Sequence, residues 1–363
     1  MEIQANRMDL GFLKHQSEYE EAALRVLRSG WYILGKEDEA FEKEFGEYHG
    51  CYCAGLASGL DALWIGIKML GIGEGDEVIV QGNTYIASVM GISINGATPV
   101  FTEPDEYAQI DVEKIEEKIT PRTKALMVVH LYGHVCDMTR VQEICKKHHL
   151  YLIEDCAQAH GATWRGQKVG TFGDIGCFSF YPTKNIGAFG DAGAVISHSK
   201  EIIDQAKVYR NYGSRKHYYN EVVGANSRLD EMQAALLRVR MKYIDEITAE
   251  RKALAAAYEK GLHNPKVRMI TQRPESSSVW HQVVILVEER DRMIEYLAER
   301  GIKTIIHYPI PPHLSEAYAY LNVAKGSLPI TEKYANSVIS IPLYCGMTKQ
   351  EQDYVIDAIN SFA

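Results

Sequence analysis

The sequence predicts an α/β protein: a large domain on a mostly parallel sheet, then a small α+β domain at the C-terminal end. Three observations predict it. Six short β-rich apolar runs alternate with helical stretches, the order that feeds a parallel sheet through crossover helices. Those runs are apolar throughout rather than alternating, as strands covered on both faces are. One long helical pattern follows, residues 228–261, and then a shorter mixture of strands and helices. The boundary is placed at 240, giving units of 1–240 and 241–363.

The elements follow in order. Residues 17–30 carry Tyr19, Ala22, Ala23, Val26 and Leu27 at helical spacing and end in Gly30. The loop SGWYILG leads to a second helix over 36–48, and Ser58 opens a third, to Leu70, with Leu60, Leu63, Trp64 and Ile67 as its stripe. The strand runs are EVIV (77–80), TPVF (98–101), KALMVV (124–129), LYLIED (150–155), IGCFSF (175–180) and GAVIS (193–197). The small domain is read from HQVVILV, a helix near 290–300, KTIIHYP, SVISI and a final helix.

Composition narrows the function. At 363 residues, 46% hydrophobic and 24% charged, the chain is neither disordered nor fibrous. A net charge of −9 leaves no basic footprint for nucleic acid. The best candidate membrane span, 54–73, is broken by Asp61 and Lys68, and the first residues lack a long apolar run of the secretory kind. Seven cysteines without a CxxC pair read as reduced core thiols, so a cytoplasmic protein is expected. His130 and His134 lie four apart without the acidic partner of an HExxH motif, so no metal is expected. GIGEG (71–75) follows a helix and precedes a strand, the reverse of a dinucleotide fingerprint.

The chemistry lies in two residues read together. Asp155 ends a buried strand, and open α/β sheets bind ligands beyond the carboxyl ends of their strands; alone, it is a helix cap or a site group. Lys184 follows a strand and opens a Gly-rich segment that no regular helix accommodates. Alone it is a solvated loop lysine or an imine-forming amine. A pyridoxal phosphate site needs both: an amine, and an acid that keeps the pyridine nitrogen protonated so that the ring acts as an electron sink. It also needs a phosphate cup, and Ser58-Gly59 opens a helix whose first amides are free.

At this point the chain resembles the DegT/DnrJ/EryC1/StrS aminotransferases, vitamin B6-dependent enzymes that aminate nucleotide-linked keto sugars. The resemblance runs through ASGLDAL (57–63), GDEVIVQGNTYIAS (75–88), PVFTEPD (99–105), HLYGH (130–134), IEDCAQAHGA (153–162), FSFYPTKNIGAFGDAGA (178–194), GANSRLDEMQAALL (224–237) and HYPIPPH (307–313). It implies the fold type I of such aminotransferases. It implies Lys184 as the Schiff-base lysine, Asp155 at the pyridine nitrogen, Gln158 at the cofactor's phenolic oxygen and Tyr85 stacked on the ring. Ser179 and the Ser58–Gly59–Leu60 backbone would hold the phosphate, with Asn226 reaching it from the other subunit of a homodimer with shared sites. Leu60 departs from the Thr common there, which removes one hydroxyl. Tyr85 is read as sitting in an unusually polar core-strand neighbourhood with Asn83, Thr84 and Ser88; Asn226 alternatively reads as a cap or turn residue just before a helix.

The resemblance further implies L-glutamate as amino donor and a dTDP- or UDP-linked keto sugar as acceptor. HYPIPPH matches members acting on 3-keto-6-deoxy sugars attached to dTDP or UDP, so amination at C3 of a dTDP-3-keto-6-deoxyhexose is expected; the alternative is C4 amination of a dTDP- or UDP-linked 4-keto-6-deoxy sugar. His307, Tyr308 and His313 are candidate sugar contacts, against a plain proline-rich turn. Tyr32, Tyr181 and Tyr212 are further candidates, since tyrosine offers a flat face and a hydroxyl.

Overall fold

The computed structural model describes residues 1–363. Helices α1 (Met8–Lys14), α2 (Gln16–Ser29) and α3 (Lys36–His49) lead in, and α2 stops at Gly30 in the left-handed conformation (φ 67°). There follow β1 (Tyr52–Leu56), α4 (Gly59–Met69), β2 (Glu77–Gln81), α5 (Ile86–Ser93), β3 (Thr98–Thr102), β4 (Thr123–Val129), α6 (Met138–His148) and β5 (Tyr151–Asp155). A short hairpin, β6 (Thr163–Trp164) and β7 (Gln167–Lys168), precedes β8 (Ile175–Ser179), β9 (Gly193–Ser197) and α7 (Lys200–Tyr209). After the hairpin of β10 (Ser214–Lys216) and β11 (Tyr219–Asn220) come α8 (Glu231–Met241) and α9 (Ile244–Gly261). The C-terminal part holds β12 (Val267–Met269), β13 (Ser276–Ser277), β14 (Val283–Val287), α10 (Arg290–Glu299), α11 (Pro329–Ser337), β15 (Val338–Ile341) and α12 (Lys349–Asn360).

The main sheet has seven strands in the order β1-β9-β8-β5-β4-β2-β3. β3, β2, β4, β5 and β8 run parallel; β9 pairs antiparallel with β8, and the edge strand β1 pairs antiparallel with β9. The apolar runs are explained by burial on both faces. Ile79, Leu126 and Val128 pack with Phe41, Phe45 and Val141 on one side. Val78, Val80 and Met127 pack with Leu56, Ile65 and Ile67 on the other. Each such side chain contributes about 1.5–3 kcal/mol on burial.

β12, β14 and β15 form a second, antiparallel sheet whose core joins Val283, Ile285 and Ile339 to Leu254, Tyr258, Leu297 and Ile359. Ile3 packs in this same core and bridges Ile302, so the N-terminal segment attaches to the C-terminal sheet. No helix is long and apolar enough to cross a membrane. All seven cysteines are free, and five are buried.

Several elements differ from the sequence reading. The single helix expected over 228–261 is two, starting at Glu231. At the break, the Lys242 and Tyr243 amides bond the carbonyls of Val239 and Arg240, three residues back. Tyr243 then leaves helical conformation (φ −112°) and stacks on His15 with ring centroids 3.5 Å apart. KTIIHYP is no strand; only Ile305 bridges, to Ser340, and its side chain is exposed. β1, with its small Cys, Ala and Gly residues, and α5, which has no polar stripe to mark its period, were not foreseen.

Candidate active site

The carboxyl ends of β2, β4 and β5 and the start of α4 meet around a cavity of about 500 Å³. Ser58, Gly59, Leu60, Tyr85, Asp155 and Gln158 line it, and so do Ser179, Tyr181, Lys184, His307 and Tyr308. A larger cavity, about 830 Å³, lies elsewhere, between Asp105, Glu106, Arg268 and Lys333. It carries charges of both signs and none of the residues singled out above.

Asp155 is the last residue of β5 and only 5% exposed. Its Oδ2 accepts a hydrogen bond from Ser88 Oγ at 2.7 Å and its Oδ1 one from the Ala157 amide at 3.1 Å. Since the single Ser88 proton goes to Asp155, the Thr84 hydroxyl 2.7 Å away donates to Ser88. Burial raises the Asp155 carboxyl above its ordinary range, while these donors and the Lys184 charge pull it down.

Lys184 sits in the loop after β8, its amide bonded to the Tyr181 carbonyl at 2.8 Å. Burial lowers its amine to about 8 against the pull of Asp155, so the neutral, nucleophilic form is within reach near neutral pH.

Ser58 caps α4, its Oγ accepting from the Asp61 amide at 3.1 Å. The Gly59 and Leu60 amides lie ahead of the first intrahelical bond, which runs from Ala62 to the Ser58 carbonyl. Gly59 presses on Ser179: a Cβ there would fall 2.4 Å from Ser179 Cβ and 2.8 Å from its Oγ. A hydroxyl and two free amides thus converge at a helix N-terminus, a cradle for an anion.

Gln158 is held at both ends. Its Oε1 accepts from the Tyr132 amide at 2.6 Å, and its Nε2 donates to the Tyr308 hydroxyl at 3.0 Å, leaving one N–H free. Tyr85 is not in a strand. It is the N-cap of α5, half exposed because it stands at a loop end, with its ring 5.1 Å from that of Tyr308. His307 Nδ1 lies 2.8 Å from Ser340 Oγ, and burial lowers this imidazole to about 4.

Four of the singled-out residues lie outside this cavity within one chain. Tyr32 hydrogen-bonds the Leu27 carbonyl at 3.3 Å. Asn226 donates to the Tyr212 hydroxyl at 2.9 Å, and both are exposed. Asn226 caps no helix, because α8 begins only at Glu231, with Asp230 at its N-cap; Asn226 pairs instead with Asn211 in an antiparallel bridge. His313 is buried against Phe101 with Nε2 3.3 Å from Glu332. His130 and His134 turn to separate partners, Glu154 and Ser278, and Glu154 also accepts amides from Gly170, Phe172 and Gly173.

Sequence reasoning missed the roles of Ser88, Tyr132 and His281. In the sequence Ser88 reads only as polar company for Tyr85, although three residues is close to one helical turn. His281 was absorbed into the strand pattern HQVVILV. It lines the cavity with Nδ1 3.2 Å from Asn185 Oδ1, and burial keeps it neutral.

The pattern defining the DegT/DnrJ/EryC1/StrS aminotransferase family matches residues 14–360. The dTDP-3-amino-3,6-dideoxy-alpha-D-galactopyranose transaminase of Aneurinibacillus thermoaerophilus is 49% identical over 352 residues, 96% of each chain. DesV of Streptomyces venezuelae, solved in complex with a ketimine intermediate, superposes with a TM-score of 0.97 at 44% identity, covering 99% of this chain and 98% of its own. NtdA of Bacillus subtilis, solved with bound cofactor PMP, superposes with a TM-score of 0.89 at 31% identity, covering 95% of this chain and 81% of its own.

Proposed function

The chain belongs to the DegT/DnrJ/EryC1/StrS aminotransferase family, and from that premise we propose that it moves an amino group from L-glutamate to C3 of a dTDP-linked 3-keto-6-deoxyhexose. The product is a dTDP-3-amino-3,6-dideoxyhexose. The observation that carries this reading is the meeting, in one cavity, of Lys184, Asp155 and the Gly59–Ser179 cradle.

These residues fit pyridoxal 5′-phosphate. The cradle that a Gly59 Cβ would fill suits the phosphate, and the Asp155 carboxylate, already oriented by Ser88, suits a protonated ring nitrogen. When bound, this group supplies a carbonyl carbon that exchanges amino groups and a ring that takes up an electron pair. Ser58, Gly59, Leu60 and Ser179 would hold its phosphate. The Asp155 carboxylate would keep the ring nitrogen protonated, and that positive charge would favour its ionised form against its burial. Gln158 would donate its free N–H to the phenolic oxygen, and Tyr85 would stack on the ring. Lys184 Nζ takes the proton from the α-carbon of glutamate in one half-reaction. It delivers a proton to the sugar's C3 in the other. Tyr181, His307 and Tyr308 line the side on which the sugar approaches. In this reading a second copy of the chain completes the site, since Tyr32, Tyr212 and Asn226 stand outside their own chain's cavity.

The test is product structure by NMR after reaction of L-glutamate with dTDP-linked 3-keto and 4-keto 6-deoxyhexoses. Nitrogen at C3 supports the proposal; nitrogen only at C4 overturns it.

A further inference from the structure

Lys184 also lines a second cavity, of about 280 Å³, which adjoins the first at Thr183–Lys184. Its walls are aromatic and cationic: Phe12, Tyr19 and Phe189 stand with Arg7, Arg240 and Arg251. No aspartate or glutamate lines it.

Arg7 is paired with Asp9 (Nη2–Oδ2 2.6 Å), but Arg240 and Arg251 have no carboxylate partner. Arg251 is 5% exposed; its Nη1 donates to the carbonyls of Trp280 and His281 at 3.0 and 3.2 Å, and its buried Nε has no partner. Arg240 donates through Nε to the Asn185 carbonyl at 3.3 Å. Its guanidinium lies against α1 where the chain has Gly11, and a Cβ there would fall 2.8 Å from Arg240 Nη1. The acids on the neighbouring turn, Glu246 and Glu250, are engaged by Lys14. Buried guanidinium groups without a counter-charge are costly, and their forked donors match carboxylates two bonds at a time.

We propose that this arginine-lined chamber binds a carboxylate of the amino donor, a small dicarboxylate of the size of L-glutamate, and of the keto acid it becomes. The proposal rests on the aminotransferase reading above and adds the donor's place. The volume decides between the two substrates: 280 Å³ admits a five-carbon diacid, whereas a nucleotide-linked sugar needs the larger cavity. Position decides the rest. A donor anchored here lies beside the lysine that must reach its α-carbon, and the larger cavity stays free for the sugar.

The experiment is equilibrium dialysis of radiolabelled 2-oxoglutarate against the purified holoenzyme in its pyridoxal form, which has no amino group to exchange with a keto acid. Arg240→Gln is the chosen variant because Arg240 is only partly buried, and a thermal melt checks that it folds. Losing one charged hydrogen-bonding group weakens 2-oxoglutarate by at least about tenfold, and Arg240→Lys recovers part of the loss. The KM for the nucleotide sugar stays near the wild-type value in both. Unchanged 2-oxoglutarate affinity in folded Arg240→Gln overturns the proposal. So does displacement of the label by inorganic phosphate as effective as by unlabelled 2-oxoglutarate, which would mark a general anion site. Arginine-dependent binding in an enzyme that aminates neither keto sugar supports the chamber and overturns the sugar reading instead.

Discussion

On the sheet side of the cavity the polar groups are pinned. Asp155 is held by Ser88 and Ala157, Gln158 by Tyr132 and Tyr308, and the Gly59 turn by its contact with Ser179. On the outer side, Tyr32, Tyr212 and Asn226 are exposed; the Tyr32 hydroxyl bonds the Leu27 carbonyl at the end of α2, and Asn226 bonds the Tyr212 hydroxyl. The first group stands on strand ends and a helix start inside a dense core. The second stands on surface segments. The difference fits the tasks of the proposed reaction: charge stabilisation and proton transfer need fixed geometry, whereas contacts with a sugar or a second chain suit loops.

If the pinned side carries the chemistry, Lys184→Ala is the largest perturbation. Turnover falls by at least roughly 10³-fold, the scale of a lost general acid–base. The circular dichroism spectrum stays unchanged. Full activity in this variant would remove the chemical role from the pinned side altogether.

Gly59→Ala probes the same side through packing. The new methyl meets Ser179, so stability falls by about 1–3 kcal/mol, the scale of overpacking. The cradle is displaced as well, and fluorescence titration shows weaker pyridoxal phosphate binding. A variant with native melting temperature and native affinity would mean that the cradle is not in contact with phosphate.

The pH dependence sharpens the contrast between Lys184 and ordinary surface lysines. With the amine lowered to about 8, its neutral fraction grows as pH rises toward 8 and levels off above it. The rate at which the cofactor-free protein captures pyridoxal phosphate, followed by absorbance, rises over that range and then flattens. A rate still climbing beyond pH 10 would place the amine in water.

The smallest effect belongs to the exposed side. Asn226→Ala removes one surface hydrogen bond to Tyr212, so the cofactor-free protein loses less than about 1 kcal/mol. Cofactor affinity nonetheless falls if Asn226 serves the neighbouring chain. Mixing Lys184→Ala with the more disruptive Asn226→Asp then restores activity, because exchanged dimers hold one site with both residues intact. Verified exchange without recovery would confine the site to one chain.

Much of this was legible from the sequence where one physical signal dominated. The doubly covered strands read clearly because Val78, Ile79 and Val80 are apolar on both faces. Asp155 stands out as a charge ending such a strand and Lys184 as a lysine opening the Gly-rich loop after another; each is ambiguous alone, and only the pair points to a site. Tyr85 was misplaced because α5 behind it is apolar on most sides and shows no helical period in the sequence. The break at Tyr243 was invisible because its cause, stacking on His15, is a contact between residues far apart in the chain. The pair of arginines was hidden likewise: in sequence Arg240 and Arg251 look like the ordinary charges of a helix, and only the fold turns them toward Lys184.

The central claim, that Lys184 is the amine around which the pinned side is built, has one most direct test. The holoenzyme is reduced with borohydride, digested, and mapped by mass spectrometry. The account predicts a single peptide carrying the reduced pyridoxyl phosphate group, modified at Lys184. Modification at any other lysine, or none with the cofactor bound, would contradict it.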